Sequence, residues 1–511
     1  MEGNVISDKA RSDPGKPAII MGESGQVTTY SELERRSNQI AHLLRASGLR
    51  AGDAVAICLR NCPDYFEIAW GALRAGLVVV PVSCLLTASE IEYIAKDSGA
   101  KILFSCPSIG DAFFALPGLL AGVRLYDVSG RTEHFLPLAD ALAQQPETPI
   151  ADESMGSQML YSSGTTGRPK GILWSSNPGR PSGAQSDRVA GQLSVDAHSI
   201  YLSPAPLYHS APFKTTLSVL CAGGTAVIME KFDAELALKL IEAHRINTSQ
   251  WVPTHFVRLL KLPEETRRRY DLSSLKMAIH AAAPCPVPVK RAMIDWLGPI
   301  VFEYFGSTEQ TILTTITSQE WLRKPGSVGK AAAANLHICD DDGVPVPAGT
   351  IGTVYVEGGQ SFRYHNSIDK TASSRNSFGW TTVGDIGFLD EDGYLFLTDR
   401  KNFTIISGGV NIYPQEIENL LVTHPKITDA AVIGTPDDEM GEIVTAVIQP
   451  ASMADANSDF AEELKQWMRL SLSGAKVPRR IEFQQDLPRL PTGKMQKFAL
   501  RERYSKVIPP A

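Results

Sequence analysis

Between Tyr161 and Gly171 the chain reads YSSGTTGRPKG. Four hydroxyls (Ser162, Ser163, Thr165, Thr166) stand there among Gly164, Gly167 and Gly171, with Arg168 and Lys170 as cations. Residues without Cβ let backbone N–H groups close on an anion, and hydroxyls and an ammonium add further donors. This is the chemistry of a loop that holds a polyphosphate; a plain Ser/Thr/Gly surface turn is the competing explanation. The Walker pattern G-x-x-x-x-G-K-[ST] is not met, because Gly167 follows Gly164 too soon and Lys170 precedes Gly171. No hydroxyl sits where that motif would ligate magnesium.

Five further segments follow in order: PLYHSAP (206–212), YFGSTE (304–309), TTVGDIG (381–387), DRKNFTIISGGVNIYPQEIE (399–418) and LPRLPTGKMQK (487–497). With the first stretch, all six resemble the motifs of the adenylate-forming superfamily, which includes acyl-CoA synthetases, peptide-synthetase adenylation domains and luciferases. The resemblance implies that Ser162, Ser163, Gly164, Thr165, Thr166, Gly167 and Lys170 contact ATP phosphates. It adds Ala282, Ala283, Pro284, Glu303, Tyr304, Phe305, Gly306, Ser307 and Thr308 as further nucleotide contacts. Glu309, with Thr166, is the implied magnesium site; Mg²⁺ takes one or two carboxylates and leaves the rest of its shell to phosphates and water. Asp385 matches a ribose-binding carboxylate, which can accept from two hydroxyls at once. Arg400 matches a second nucleotide contact suited to its planar fork.

Lys494 matches the catalytic lysine of the family. A carboxylate attacking an α-phosphate brings two anions together, and an ammonium touching both is worth roughly 10²–10³-fold in rate. His209 is similar to the residue that separates the acyl pocket from the ATP site, and joins Lys494 and Lys170 as implied catalytic residues. Gly408 and Gly409 match the lining of a pantetheine tunnel, where a thin chain passes between domains. Asn402 stands at the implied hinge, where relatives carry Asp or Lys. Asn tolerates unusual φ/ψ but supplies no charge there.

The elements around these segments are those of an α/β protein. Thr29 and Glu32 have capping-box spacing, and Leu33, Ile40 and Leu44 mark one face of the helix that follows. Apolar runs at 54–59 and 77–82, with a helix at 64–75 between them, predict buried parallel strands. A strand at 225–230, a helix at 234–244 and a strand from Lys276 running into a turn continue the alternation. From Asn335 the pattern changes to short strands with DDDG (340–343) and DEDG (390–393) turns, a small β subdomain. The expected architecture is a large N-terminal domain of α/β sheets plus this subdomain (residues 1–400), then a small mobile α+β C-terminal domain (401–511).

A chain of 511 residues exceeds one hydrophobic core. Its net charge of −7 argues against a nucleic-acid surface. Arg267-Arg268-Arg269 reads as a solvated helix end. Seven scattered cysteines without a CxxC pair suit a reducing compartment. The polar N-terminus lacks a signal-peptide core, and the greasy segment 66–86 is interrupted by Glu67, Arg74 and Pro81. A cytoplasmic protein without an integral membrane segment is expected, and a homodimer is left open.

The resemblance thus implies an ATP-dependent carboxylate–CoA ligase acting through an acyl-AMP, with ATP, Mg²⁺, coenzyme A and a small-molecule carboxylic acid as its ligands. The expected acyl pocket comprises His209, Phe213, Trp251, Val252, Ala281 and Tyr304, with His280 and the Ala281–Ala283 turn beside it. No Arg or Lys is evident there to hold a second carboxylate, so a hydrophobic monoacid (fatty, aryl, alicyclic or steroid) is expected. Three alternatives share these motifs: an adenylating enzyme serving a carrier protein, a luciferase-type oxygenase, and a non-catalytic nucleotide- or acyl-binding relative.

Overall fold

A computed structural model describes residues 5–162, 169–174, 195–307, 309, 312–331, 335–358, 362–400, 403–408, 410–489 and 495–505. The N-terminal helix forms as its capping box dictates. Thr29 accepts from the backbone N–H of Glu32, whose carboxylate takes the Thr29 N–H, and helix Tyr30–Ala46 buries Leu33, Ile40 and Leu44. Behind it lies a six-stranded, wholly parallel sheet with spatial order Leu136–Pro137, Arg124–Asp127, Ala100–Ser105, Ala54–Cys58, Val78–Pro81, Ser157–Gln158. Ala54–Cys58 is buried at every position, which is why its sequence shows no alternation.

The second sheet positions the site. Its parallel core runs Pro17–Met21, Thr225–Ile228, Ile200–Ser203, Thr248–Trp251, Met277–His280, Val301–Gly306, with antiparallel Leu313–Ile316 and Lys330–Ala331 beyond the last. From Ile200–Ser203 the chain crosses by helix Ser210–Cys221 to Thr225–Ile228 on one side. It then returns by helix Ala234–His244 to Thr248–Trp251 on the other. The winding direction therefore reverses between Ser203 and Trp251. In open parallel sheets such a reversal opens a crevice at the carboxyl ends of the strands, where ligands bind. Helix Ser210–Cys221 packs toward the first sheet, where Phe213 stacks on Phe66 with ring centroids 5.5 Å apart. Helices Ala234–His244, Pro253–Leu260 and Val287–Leu297 cover the opposite face.

Strands Leu160–Ser162, Lys170–Trp174 and Phe362–Tyr364 make a small antiparallel sheet. Asn335–Cys339, Gly352–Glu357, Asp385–Leu389 and Leu395–Arg400 form the antiparallel sheet expected from the DG turns. From residue 403 onward a further sheet, built on the long hairpin Ile427–Asp437 and Gly441–Pro450, packs on helices Pro414–Leu421, Ser458–Arg469 and Lys497–Ser505. Lys261 of the large sheet's outer layer donates to the Ile427 carbonyl at 2.7 Å. Arg267–Arg269 close helix Glu264–Arg269, with Arg268 on Glu264 and Arg269 on Glu235, as a solvated helix end should. Among the described residues no helix is long and apolar enough to cross a membrane.

One buried cation ties the first sheet to the loop-bearing segment. Arg74 is 1% exposed and reaches Glu34 and Glu153 at 3.0 Å each and the Ser37 hydroxyl at 3.0 Å. It joins helices Tyr30–Ala46 and Asp64–Arg74 to the strand that leads into residues 160–174. Arg74→Met leaves two carboxylates without their cation and should cost about 3–5 kcal/mol. An unfolding free energy from urea titration lowered by under a tenth of that would show the cluster to be dispensable.

Candidate active site

The strands on either side of residues 163–168, Leu160–Ser162 and Lys170–Trp174, pair antiparallel as the two arms of a hairpin. Lys170 stands opposite Ser162, and Gly171 opposite Tyr161. The base is held from three sides. The Tyr161 hydroxyl donates to Asp97 at 2.6 Å, Tyr93 donates to the Pro169 carbonyl at 3.2 Å, and the His365 N–H donates to the Gly171 carbonyl at 2.8 Å. Burial and the Asp97 carboxylate both push the Tyr161 hydroxyl up, which keeps it a donor. Gly171 is required by space, since a Cβ there would sit 3.0 Å from both Met159 Sδ and the Tyr161 ring.

Tyr364 joins two of the expected residues. Its strand pairs with the one that starts at Lys170 (Ile172 opposite Tyr364), and its ring lies 5.1 Å beneath the Lys170 ammonium. Its hydroxyl donates to Glu309 at 2.9 Å. Glu309, expected at the metal, is 8% exposed and lies just past strand Val301–Gly306. A cation–π contact on one side and a hydrogen bond on the other hold the ammonium and the carboxylate at either end of one phenol. Sequence reasoning missed Tyr364, because its role depends on pairing with a strand some 190 residues earlier in the chain.

At the crevice, Ile200–Ser203, Thr248–Trp251 and Val301–Gly306 present alternate residues to the side of helix Ser210–Cys221. Tyr201, Gln250 and Tyr304 share that side: the Tyr201 hydroxyl donates to Gln250 Oε1 at 3.0 Å, and Gln250 Nε2 donates to the Tyr304 oxygen at 2.8 Å. Ser203, Thr215 and Thr216 hydroxyls crowd Tyr201. Burial raises the Tyr304 hydroxyl to about 12. His209 caps helix Ser210–Cys221; its Nε2 is shut from solvent with no hydrogen-bond partner, and desolvation lowers the ring to about 3, so it is neutral. Lys214, on the same helix, has a buried amine lowered to about 7 by desolvation, which the sequence reading did not single out.

Several expected residues are not brought to this crevice. Trp251, His280 and Glu303 stand side by side on the opposite side of their strands. Trp251 donates to Ser249 at 2.7 Å and packs in the outer core with Phe232, His255 and Phe256. Glu303, expected to contact nucleotide, is paired inside the protein with Lys290 of helix Val287–Leu297, beside the fully buried His280. Burial raises the Glu303 carboxyl while Lys290 opposes the shift. Phe213 is core, fully buried, stacked on Phe66 and edge-on to Tyr65. Val252 begins helix Pro253–Leu260 at the mouth of the crevice.

The turn after Met277–His280 carries Ala281, buried, with Ala282 and Ala283 exposed and Pro284 half-buried. Ala282 holds φ of 76°, a backbone that glycine adopts freely and alanine only at a cost of about 1–2 kcal/mol. Gly306 closes its strand with room for no more than a hydrogen, as a Cβ would lie 3.2 Å from the Ile312 carbonyl. Phe305 packs on the small β core, and Ser307 is half-buried. Asp385, 5% exposed, stands directly across its strand pair from Arg400, so the backbone brings together the two residues expected at the ribose.

Gly408 turns between Ile405–Ser407 and Val410–Ile412 with φ of 55°, and a Cβ there would lie 2.6 Å from Met440 Cε. The turn alone therefore accounts for a glycine at 408, whatever else passes there. Residues 163–167, Thr308, Asn402, Gly409 and Lys494 lie outside the described residues, and only the backbone is described at Ser162 and Arg400. The flanks of Lys494 are well defined. Arg489 and Met495 form a β-bridge, the Gln496 N–H donates to the Pro488 carbonyl at 2.8 Å, Arg489 binds Asp429, and Lys497 reaches Glu418 at 2.8 Å.

A doubly wound sheet with a switch point, strands flanking a Ser/Thr/Gly-rich segment, a buried carboxylate at Glu309 and a carboxylate–arginine strand pair are the parts expected of a nucleotide-binding α/β protein. The pattern of the AMP-binding enzyme family matches residues 6–364, and that of the AMP-binding enzyme C-terminal domain matches residues 416–494. The chain belongs to this family of adenylate-forming enzymes. It is 33% identical over 500 residues to a feruloyl-CoA synthase of Amycolatopsis sp, with 97% of each chain covered. A fatty acid–[acyl-carrier-protein] ligase, ScoC, of Streptomyces coeruleorubidus is 31% identical, covering 98% of this chain and 96% of ScoC. The crystal structure of ATP-bound MatB from Rhodopseudomonas palustris superposes with a TM-score of 0.81 at 30% identity, with 99% of each chain covered.

The neutral state of His209 has a measurable consequence. Its folded pKa lies below the unfolded value of 6.5, so the unfolded chain binds the extra proton. The stability His209 provides is complete above pH 6.5 and is lost as pH falls from there toward 3. Between pH 7 and pH 5 this amounts to at most about 2 kcal/mol. His209→Gln should make the urea midpoint less sensitive to acid over that interval; an unchanged pH slope would mean that the ring titrates normally.

Proposed function

We propose that this protein is an ATP-dependent acid–thiol ligase that converts a carboxylic acid, ATP and coenzyme A into acyl-CoA, AMP and pyrophosphate. The observation that carries the reading is the Lys170–Tyr364–Glu309 assembly at the base of the phosphate hairpin, while Asp385 and Arg400 stand opposite each other on a separate strand pair. An ammonium and a carboxylate held on one phenol suit the phosphates and the metal of Mg·ATP. The AMP-forming ligase relatives, and an ATP-bound structure of the same fold, support it.

In the first half-reaction a carboxylate oxygen attacks the α-phosphorus, and the bond to the bridging oxygen breaks to release pyrophosphate. Lys170 and the hairpin N–H groups would balance phosphate charge, Asp385 would hold the ribose, and Tyr364 would keep Lys170 and Glu309 at fixed spacing. Glu309, with Thr166, is the protein's contribution to a magnesium ion, which when bound offsets triphosphate charge. His209, kept neutral by desolvation, brings no charge to the carboxylate. Lys494 would touch both reacting anions. In the second half-reaction the thiol sulfur attacks the acyl carbon, AMP departs, and the thiol proton is given up.

The unit from residue 401 onward is the proposed moving domain. Rotation at Asn402 would withdraw Lys494 and bring the Gly408–Gly409 turn to the thiol's path, a hinge motion of ordinary kind. A carrier-protein thiol is the alternative acceptor, favoured by the likeness to ScoC.

The division of labour is testable. Lys494→Ala should slow acyl-AMP formation by roughly 10²–10³-fold and leave CoA transfer from supplied acyl-AMP within a few-fold of wild type. Equal loss in both half-reactions would remove Lys494 from the adenylation step. AMP release that needs CoA, across acids from acetate to long-chain, aryl and steroid acids, tests the ligase itself; turnover indifferent to CoA would point to another acceptor.

A further inference from the structure

The crevice side of the central sheet is far more polar than an apolar acid requires. Thr248–Trp251 reads TSQW, and both positions that share the crevice side of this central parallel strand, Thr248 and Gln250, are polar. Burying an amide or hydroxyl is unfavourable unless it is hydrogen-bonded. Here the bonds form a directed string. Tyr201, fully buried, gives its proton to Gln250 Oε1 at 3.0 Å, and Gln250, 6% exposed, gives an amide proton to the Tyr304 oxygen at 2.8 Å. The Tyr304 oxygen is thus already an acceptor, and its own proton is left to donate. Tyr304 is the one member of the string that is only half-buried, at the end nearest the strand terminus. Across the mouth, His209 Nε2 is closed to solvent and unpartnered.

We infer that Tyr304, oriented by Gln250, is a specificity-determining donor that recognises an oxygen carried on the body of the acid, a ketone, ether or hydroxyl separate from the reacting carboxylate. This rests on the ligase reading and deepens it: the preferred substrate is an oxygen-bearing acid of otherwise apolar skeleton, not a plain hydrocarbon acid. An acid lacking the oxygen leaves the Tyr304 O–H proton desolvated and without an acceptor. Sites built to bond a substrate oxygen discriminate on that account far more strongly than apolar pockets do. Gln250 acts through Tyr304 and is a positioning residue, and Tyr201 in turn orients Gln250.

The test compares matched acids that differ by one oxygen, such as cinnamate with 4-hydroxycinnamate and octanoate with 7-oxo-octanoate. Wild type, Tyr304→Phe, Gln250→Leu and the double variant are assayed with each pair. Wild type should favour the oxygen-bearing member of at least one pair by about tenfold or more in kcat/KM. Tyr304→Phe and Gln250→Leu should each bring that ratio toward one, and the double variant should lower it no further than the stronger single. Using the ratio cancels any contribution of Tyr304 to nucleotide binding, which both acids share. A wild-type ratio near one for every pair, or a ratio that survives Tyr304→Phe, would overturn the inference. So would an equal loss for both members, which would assign the hydroxyl to the carboxylate itself. If no acid is turned over, the ligase reading fails separately. Thermal-shift titration with the same pairs then decides this point: a preference abolished by Tyr304→Phe sustains it, and equal shifts for both members reject it.

Discussion

The reversal of winding at Ile200–Ser203 is the constraint on which the rest of the molecule depends. Because the crossover from Ser203 runs to one neighbour and the return runs to the other, no connection among the described residues runs between the two central strands at their carboxyl ends. Several of the expected residues collect there: His209 on the loop that leaves Ser203, Val252 at the end of the next strand beside Gln250, and the Ala281–Pro284 turn, Tyr304 and Glu309 beyond. None of these residues needs to be held by a long loop. Each sits within a few positions of a strand whose backbone is fixed by neighbours on both sides, which gives a site the precision that loops alone lack.

The phosphate hairpin is anchored differently. It belongs to neither large sheet, and its strands are only three and five residues long. Its geometry is enforced by side chains from elsewhere: Tyr93 and Asp97 from helix Ala88–Asp97, and Tyr364 and His365 from the third strand. A short hairpin is marginal alone, so these contacts are what keep Lys170 facing Glu309. Arg74 extends the support one layer back, since its carbonyl receives the Ser154 N–H and its guanidinium holds Glu153. The interior charge and the phosphate loop are connected by fewer than ten residues of chain.

Much of this architecture was legible in the sequence because the signals were local. Capping at Thr29, buried runs at 54–59 and 77–82 (strands at Ala54–Cys58 and Val78–Pro81), and DG turns in the β subdomain each report on a handful of neighbours. What the sequence hid was sidedness. In TSQW, MAIH and VFEYFG both faces of the strand are covered by helices, so alternation of polar and apolar residues carries no information about which side is which. Trp251, His280 and Glu303 were expected in the crevice and belong to the other layer, where Lys290, thirteen residues from Glu303, neutralises it. Gln250, one position from Trp251, faces the side its neighbour was expected to line. Long-range partners were equally silent: nothing local marks Tyr364 as the phenol between Lys170 and Glu309.

The C-terminal unit raises a mechanical question that its ion pairs answer. For a lysine to leave the reacting phosphate and return in the same pose, the segment bearing it must move as a rigid piece, not re-form on each cycle. Both flanks of residues 490–494 are tied to the same sheet and helix layer, Arg489 to Asp429 and Lys497 to Glu418, and Glu418 also accepts the Val432 N–H at 2.6 Å. Phe403, the first described residue after Asn402, packs against Phe498 with centroids 5.1 Å apart and lies under the Lys497 ammonium at 5.4 Å. The residue beside the proposed hinge and the helix after Lys494 are therefore in direct contact. Rotation at position 402 would carry the lysine with it through a lever one aromatic pair long. A charged hinge residue, which this chain lacks, is not needed to transmit that motion; it would bear only on how the two orientations are balanced.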